Sequence, residues 1–313
     1  MVFTTAYRPF VGGSELALEN IIRRLPNIFF DIVTPRHQRG LKKFEQSANV
    51  SLWRLGLGWR YDKYFFPALG FLKARRLMKK RSYLAAHAYQ ASQGAGAAWL
   101  LKLFSPGVRF ILTLQEGEQL EKQNPAIKFF RRLILKKADI ITGISSYLVD
   151  YARLINRKAK ALVIPNGVDL KKSKAKNQKS KVKIEPSLRE KLGFKEDNRV
   201  IITVSRLVPK NGVADLIEAV ALVKPHLPEI KLMVVGQGPL QESLASRTQK
   251  LGLAKEVLFL NGVAPESVYD FLKIADIFVR PSYSEGLGSA FLEAMASGVV
   301  PVATTLVSAF MNM

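Results

Sequence analysis

Pro281-Ser282-Tyr283-Ser284-Glu285-Gly286-Leu287-Gly288-Ser289-Ala290-Phe291-Leu292-Glu293-Ala294-Met295-Ala296-Ser297-Gly298 is the stretch that decides the fold. Two carboxylates, Glu285 and Glu293, bracket a glycine turn that opens into a short apolar helix. Just upstream, 275–279 reads as a short buried strand. Ser289 is the predicted N-cap of the helix, and Gly298 is the small residue expected just past its end. The glycines let backbone N–H groups at the helix start come close to a ligand, and a helix N-terminus already favours phosphate. The two carboxylates add acceptors for the hydroxyls of a sugar or a ribose. A strand, a glycine turn and a helix in this order predict one unit of a parallel α/β sheet.

Working outward, the same alternation fills the chain. Strands are predicted at 199–204, 231–235, 257–260 and 298–303, with helices at 212–224, 240–250, 266–274 and 289–297. The first half repeats the pattern. Its strands are predicted at 2–5, 29–34, 50–54, 83–88, 109–114, 140–143 and 161–164. Its helices are predicted at 12–25, 65–80, 91–104, 126–137 and from 146. Such alternation argues for parallel sheets covered on both faces. Residues 171–191 hold nine Lys and Arg with few apolar residues and read as a basic linker. The predicted organisation is a Rossmann-like domain at 1–170, the linker at 171–191 and a second Rossmann-like domain at 192–313. Ligands of such sheets sit at the carboxyl ends of the strands, so two facing halves would form a cleft.

At 313 residues the chain is long enough for two cores. It has no cysteine, which excludes disulfides and thiolate metal sites. No apolar run reaches the length of a membrane span, and the N-terminus carries no signal-peptide pattern. The charge is lopsided. Residues 1–191 carry 37 Lys and Arg against 13 Asp and Glu, a balance of +24, whereas residues 192–313 balance at −1. A basic first half is either a solvated surface, a face for anionic membrane, or a nucleic-acid binder. No nucleic-acid motif accompanies the charge, so that partner is not expected.

Several shorter motifs sit where strands give way to helices. In Val204-Ser205-Arg206-Leu207-Val208-Pro209-Lys210-Asn211-Gly212, Arg206 offers a fork for phosphate oxygens and Lys210 a point charge. Gly236-Gln237-Gly238-Pro239 is a tight turn that also suits a nucleotide pocket, and Asn261-Gly262-Val263 follows the next strand. Gly12-Gly13 opens the first helix, and Pro165-Asn166-Gly167-Val168-Asp169 closes the first half.

With these motifs the chain resembles the retaining, nucleotide-sugar-dependent glycosyltransferases of family 4. Their fold, GT-B, is two Rossmann-like domains facing across a cleft. The resemblance implies that Glu285 meets the donor sugar and Glu293 the ribose. It also implies that Arg206 and Lys210 hold the diphosphate, although the family's lysine usually stands one residue later, where this chain has Asn211. The backbone of Gly286, Leu287, Gly288 and Ser289, together with Gly236, Gly238 and Val263, would line the nucleotide site, and Gly12 and Gly13 would approach the sugar or its phosphate. His87 would orient the acceptor or the leaving sugar, or be a satisfied histidine near the core. Glu116 would be an acceptor-side base or contact, or a solvated loop residue. The cofactor expectation is none: a nucleoside-diphosphate sugar is the donor substrate, and Arg206, Lys210 and helix N-termini would stabilise the leaving group without a metal. Expected partners are that donor, a glycan or lipid-linked acceptor, and peripherally an anionic membrane at its cytoplasmic face. Relative to a usual member, roughly 60–80 C-terminal residues are expected to be missing. The competing reading is therefore an inactive fragment or a sugar-nucleotide-binding module.

Overall fold

Short apolar runs, each ending at a glycine or polar turn and followed by a helical stretch, organise both halves of the protein. The computed structural model describes residues 1–10, 12–116, 124–170 and 188–304. The chain divides into two compact units, with the division between Asn166 and Gly167. Most of the predicted linker, and the tail after 304, lie outside the described residues.

Unit 1 is built on an eight-stranded sheet. Its strands are β1 (Val2–Phe3), β2 (Phe30–Pro35), β3 (Phe44–Ser47), β4 (Val50–Leu55), β5 (Ala86–Tyr89), β6 (Phe110–Leu114), β7 (Ile140–Gly143) and β8 (Lys160–Val163). They lie in the order β3-β4-β2-β1-β5-β6-β7-β8, and only the β3–β4 pair is antiparallel. The helices are α1 (Gly13–Arg24), α2 (Asp62–Met78), α3 (Gln93–Phe104), α4 (Pro125–Lys137) and α5 (Ser146–Ile155). Phe3, Ile32, Val33, Ala88, Leu112, Leu114 and Ile141 lose essentially all solvent contact, as expected of strands covered on both faces. Helices α2 and α3 cross closely: a Cβ on Gly70 would stand 2.8 Å from the Cβ of Ala97.

Unit 2 carries β9 (Arg199–Val204), β10 (Ile230–Val235), β11 (Val257–Leu260), β12 (Ile277–Arg280) and β13 (Val300–Ala303) in the order β11-β10-β9-β12-β13, all parallel. Its helices are the short α6 (Leu188–Lys191), then α7 (Val213–Val223), α8 (Gln241–Lys250), α9 (Val268–Lys273) and α10 (Ser289–Ala296). One apolar cluster fills each face of the sheet. Phe278 of β12 meets Phe291 of α10 edge to face at 5.2 Å, both fully buried. Each ring contributes about 1.5–3 kcal/mol by burial, and the pair geometry adds about 0.5–1.5 kcal/mol. This contact sets α10 on the sheet.

In each unit the strand order reverses once, between β1 and β5 in unit 1 and between β9 and β12 in unit 2. The loops leaving those strands part to opposite sides, which opens a crevice at the carboxyl edge.

Three local expectations change. The N-cap of α10 is Gly288, in the left-handed region at φ 61°, and Ser289 is the first helical residue. A Cβ on Gly288 would lie 2.8 Å from the ring of Phe291, so the turn requires glycine for space as well as for φ. Helix α2 begins at Asp62, three residues earlier than predicted, because the Asp62 carboxylate accepts from the backbone of Leu57, Gly58 and Trp59 and fixes the entering loop. Strand β3 has no sequence signature, since all four of its residues are exposed. Its ladder with β4 and an ion pair from Arg54 Nη1 to Glu45 Oε1 at 2.5 Å hold it.

Candidate functional site

The reversal point of unit 2 brings together most of the second-half candidates. Three loops leave β9, β10 and β12, and main-chain bonds knit them. Ser205 N donates to Val235 O, Leu207 N to Gln237 O, Leu240 N to Leu207 O and Tyr283 N to Lys210 O, at 2.8–3.2 Å. No side chain fits at three of the junctions: a Cβ would stand 2.0 Å from Pro281 O at Gly212, 1.9 Å from Ser205 O at Gly236 and 2.2 Å from Leu207 O at Gly238. Gly212 (φ 64°) and Gly236 (φ 146°) also need backbone angles closed to other residues. These glycines are therefore required by loop packing, whatever they do for a ligand.

On this scaffold Arg206 and Lys210 are exposed, and neither cation has a hydrogen-bond or ion-pair partner among the described residues. Asn211, the residue at the usual lysine position, is buried and structural. Its Nδ2 donates to Arg206 O at 2.6 Å. Its Oδ1 accepts at 3.4 Å from Arg280, the last residue of β12. Sequence reasoning missed Arg280. Its signal was a lone cation ending the buried run 277–279, directly before the quoted stretch.

Arg280 is 12% exposed at its side chain, and its Nη2 lies 2.5 Å from Glu285 Oε2, itself 11% exposed. Nε donates to Ser282 Oγ at 3.1 Å. Burial draws the guanidinium pKa down, and the charges of Glu285 and then Glu293 oppose that shift. Both glutamates of the quoted stretch therefore act on one buried guanidinium. Glu285 Oε2 is thus a buried acceptor held by the Arg280 guanidinium, while Ser205 Oγ is buried without a hydrogen-bond partner. Leu287 is buried and Val263 packs against the apolar cluster, so only their backbone can serve a ligand.

In unit 1, Gly12 caps α1 at the carboxyl edge, and a Cβ there would meet Glu15 Oε2 at 2.5 Å. The Glu15 carboxylate thus lies back over the helix N-terminus, accepting from Ser14 Oγ at 3.0 Å, where an incoming anion would have to displace it. Across the reversal point, Gln90 holds a left-handed conformation (φ 66°) and donates from Nε2 to Ser14 Oγ at 3.1 Å, while the Thr5 and Ser92 hydroxyls meet at 2.6 Å.

His87 lies within β5, one strand end short of a loop. Its Nε2 is 2.7 Å from Thr113 Oγ1, which is 2.7 Å from Thr142 Oγ1, forming a polar line across three strands. Burial, and then the amino group of Met1, lower its pKa to about 4, so the ring is neutral at pH 7. Glu116 is no solvated loop residue. Its Oε1 accepts from Ala91 N at 2.6 Å, its Oε2 from Gln115 N at 2.9 Å, and buried Arg131 of α4 pairs with it at 3.3 Å. It staples the loop after β5 to the loop after β6. Gln115 in turn exchanges two amide hydrogen bonds, each 3.0 Å, with Asn166 at the end of the unit. Among the described residues, no three His, Asp or Glu side chains converge as metal ligands would.

Comparison with known proteins now adds to this geometry. Residues 184–313 match the family described as "Glycosyl transferases group 1", and residues 12–167 match "Glycosyl transferase 4-like domain". The chain belongs to the family 4 glycosyltransferases. This glycosyltransferase is 27% identical over 317 residues to a GDP-mannose-dependent alpha-(1-6)-phosphatidylinositol monomannoside mannosyltransferase of Mycolicibacterium smegmatis, an alignment covering 97% of this chain and 79% of the relative. It is 30% identical over 179 residues to the alpha-monoglucosyldiacylglycerol synthase of Streptococcus pneumoniae, covering 56% of this chain and 40% of the relative. Among solved structures, sucrose-phosphate synthase from Thermosynechococcus elongatus superposes with a TM-score of 0.78 at 19% identity, covering 98% of this chain and 78% of that one. Anabaena HepE, solved with UDP and glucose, gives 0.76 at 19% identity over 100% and 82%. At these identities the structures speak to fold alone, and the fold is GT-B.

Proposed function

We propose that this glycosyltransferase moves a sugar from a nucleoside-diphosphate donor to a lipid-linked or cell-surface glycan acceptor, with retention at the anomeric carbon. The observation that carries the donor half is the reversal point of unit 2. There, the loop that carries the exposed, unpaired Arg206 and Lys210 is tied through Asn211 to a buried guanidinium, which pairs with Glu285 and feels the charge of Glu293. Arg206 and Lys210 hold the diphosphate, with the charge of Arg280 behind them. Glu285 accepts from sugar hydroxyls, and Glu293 from the ribose. The acceptor half is supported by two relatives whose names specify lipid acceptors. No helix among the described residues is long and apolar enough to cross a membrane; in this reading a lipid acceptor is met at the cytoplasmic membrane surface.

In the proposed reaction the bond from the anomeric carbon to the phosphate oxygen breaks, and a bond to the acceptor oxygen forms on the same face. The acceptor proton passes to the departing phosphate, whose growing charge Arg206, Lys210 and Arg280 offset without a divalent ion. His87, neutral and tied to Thr113, and Glu116, with both oxygens engaged, support the acceptor-side wall and do not carry the proton.

The test incubates the protein with GDP-mannose or UDP-glucose and a bacterial lipid extract, with and without chelator, and follows nucleoside diphosphate release and the anomeric configuration of the product. Release that survives chelation, an axial-to-axial outcome, and a loss on the order of a hundredfold in Glu285→Gln support the reading. Unchanged release in Glu293→Ala removes the ribose assignment, and an inverted product removes retention. Nucleotide binding without transfer to any lipid would favour a sugar-nucleotide-binding module.

A further inference from the structure

Among the described residues, three positions other than glycine hold a positive φ: His37 at 59°, Ala48 at 42° and Gln90 at 66°. Ala48 sits in the two-residue turn between β3 and β4, where a tight hairpin calls for such an angle. The other two follow β2 and β5, the strands that flank β1 in the sheet. His37 is the centre of a three-residue turn closed by Gln38 N donating to Arg36 O at 2.7 Å, a rare and strained form when the central φ is positive. Such strain persists only where its surroundings over-determine it, and it gathers at functional positions. Arg36 braces this turn, with Nε donating to Leu41 O at 2.8 Å and Nη2 to Arg39 O at 2.5 Å. A Cβ on Gly58 would stand 2.6 Å from Arg39 Cα, so the segment after β4 presses on the same turn. Gln90 is fixed in turn by its own N donating to Thr113 O at 2.8 Å.

Both strained residues send their side chains to one place, the connection from β1 to α1. His37 Nε2 lies 2.7 Å from Thr5 O, and its ring meets Phe10 edge-on at 5.3 Å. A carbonyl only accepts, so Nε2 carries the proton, as it does in the neutral ε tautomer and in the imidazolium alike. Gln90 Nε2 donates at 3.1 Å to Ser14 Oγ, in the first turn of α1. One residue thus fixes the exit from β1 and the other the entry to α1. Between Thr5 and Ser14 lie Gly12 and Gly13, the pair expected against the donor. The connection is already tied to its neighbours by bonds that need no strain: Thr5 Oγ1 with Ser92 Oγ at 2.6 Å, and Arg54 Nη2 donating to Arg8 O at 2.7 Å. What the two left-handed residues add is placement at its ends.

We propose that His37 and Gln90 are positioning residues for glycosyl transfer: from the strands on either side of β1 they hold the β1–α1 connection so that Gly12 and Gly13 meet the donor at the right height. This rests on the transferase reading given above, and it concerns side chains that act through the connection and not on the substrates. A displacement of about 1 Å in such a segment costs up to roughly a hundredfold in rate.

The experiment compares the full chain with His37→Asn, Gln90→Asn and His37→Gln. Asparagine tolerates a positive φ but is too short to reach Thr5 O or Ser14 Oγ, whereas glutamine at 37 returns an N–H to the place of Nε2. Nucleoside diphosphate release is followed with UDP-glucose or GDP-mannose and a bacterial lipid extract, and amide hydrogen exchange is followed over residues 4–13. Each asparagine variant should lower kcat and kcat/KM together by about tenfold or more. Each should speed exchange over 4–13 by about threefold to tenfold, the weight of one hydrogen bond. The urea midpoint should stay near the parent's, since relief of strain offsets the lost bond. His37→Gln should keep most of the rate and the parent's exchange. Asparagine variants that lose stability in step with rate would make these contacts structural and overturn the proposal, as would variants with the rate and exchange of the parent. His37→Asn active beside an inactive His37→Gln would also overturn it, since Nδ1 would then be the working atom. A parent that turns over neither donor sinks the transferase reading alone. Exchange then decides this one: it stands if the asparagine variants open the connection and His37→Gln does not, and it falls if all exchange alike.

Discussion

Removing the Arg280 guanidinium is the sharpest test of the unit 2 site. In Arg280→Met, Glu285 keeps its buried place but loses the cation 2.5 Å away, and Ser282 Oγ and Asn211 Oδ1 each lose a donor. Breaking a buried pair from one side costs about 3–5 kcal/mol, chiefly because a charge is left uncompensated. Glu285→Gln should cost less, about 1–3 kcal/mol, since Arg280 retains Ser282 and Asn211. The double variant Arg280→Met/Glu285→Gln carries no unpaired charge, so its total should fall below the sum of the singles by about 2–3 kcal/mol. Urea unfolding followed by far-ultraviolet circular dichroism gives these differences. Calorimetric titration with UDP and GDP, set against the monophosphates, gives the functional half. Arg280→Met should weaken the diphosphates by about tenfold and spare the monophosphates, since a charge–phosphate contact is worth roughly 1.4 kcal/mol or more. Single variants that add within about 0.5 kcal/mol would show the two side chains to be uncoupled, and equal losses for mono- and diphosphates would show Arg280 to be structural only.

Three further outcomes are expected. Gly236→Ala forces a Cβ to 1.9 Å from Ser205 O at φ 146° and should destabilise the protein by about 3 kcal/mol or more, read by urea unfolding. His87, with its pKa lowered to about 4 from an unfolded value near 6.5, leaves the unfolded chain holding more protons between those values. Stability should therefore rise with pH from about 4 to 6.5, by about 1–3 kcal/mol given the ring's remaining solvent contact, and His87→Gln should flatten that slope. Glu116→Ala strands Ala91 N, Gln115 N and Arg131, and should cost about 3–5 kcal/mol in unfolding, with activity falling only as folded protein is lost. A hundredfold activity loss at unchanged stability would make Glu116 a base after all.

The parallel sheets were legible because double-sided burial leaves apolar runs such as 110–114 and 230–235 that only a covered strand explains. The glycines after β9 and β10 were legible as turns, but their main-chain collisions were not, since these involve residues distant in sequence. Strand β3 was invisible because none of its residues is buried and its register is set by Arg54 and β4. Arg280 was passed over because a cation beside proline looks like a solvated strand end, and its burial depends on Asn211 and Glu285 arriving from two other loops. Glu116 looked solvated for the same reason, since Arg131 lies on a helix further along the chain.

The knitted strand ends of unit 2 constrain how relatives of this protein can diverge. Where the main chain of one loop touches the next with no gap for a methyl group, insertions and deletions are blocked before any question of chemistry arises. Variation at this edge is therefore left to outward-facing side chains such as Arg206, Lys210 and Tyr283, exchanged one at a time on an unmoving frame. Engineering of this edge is best directed at those three positions, leaving loop lengths as they are.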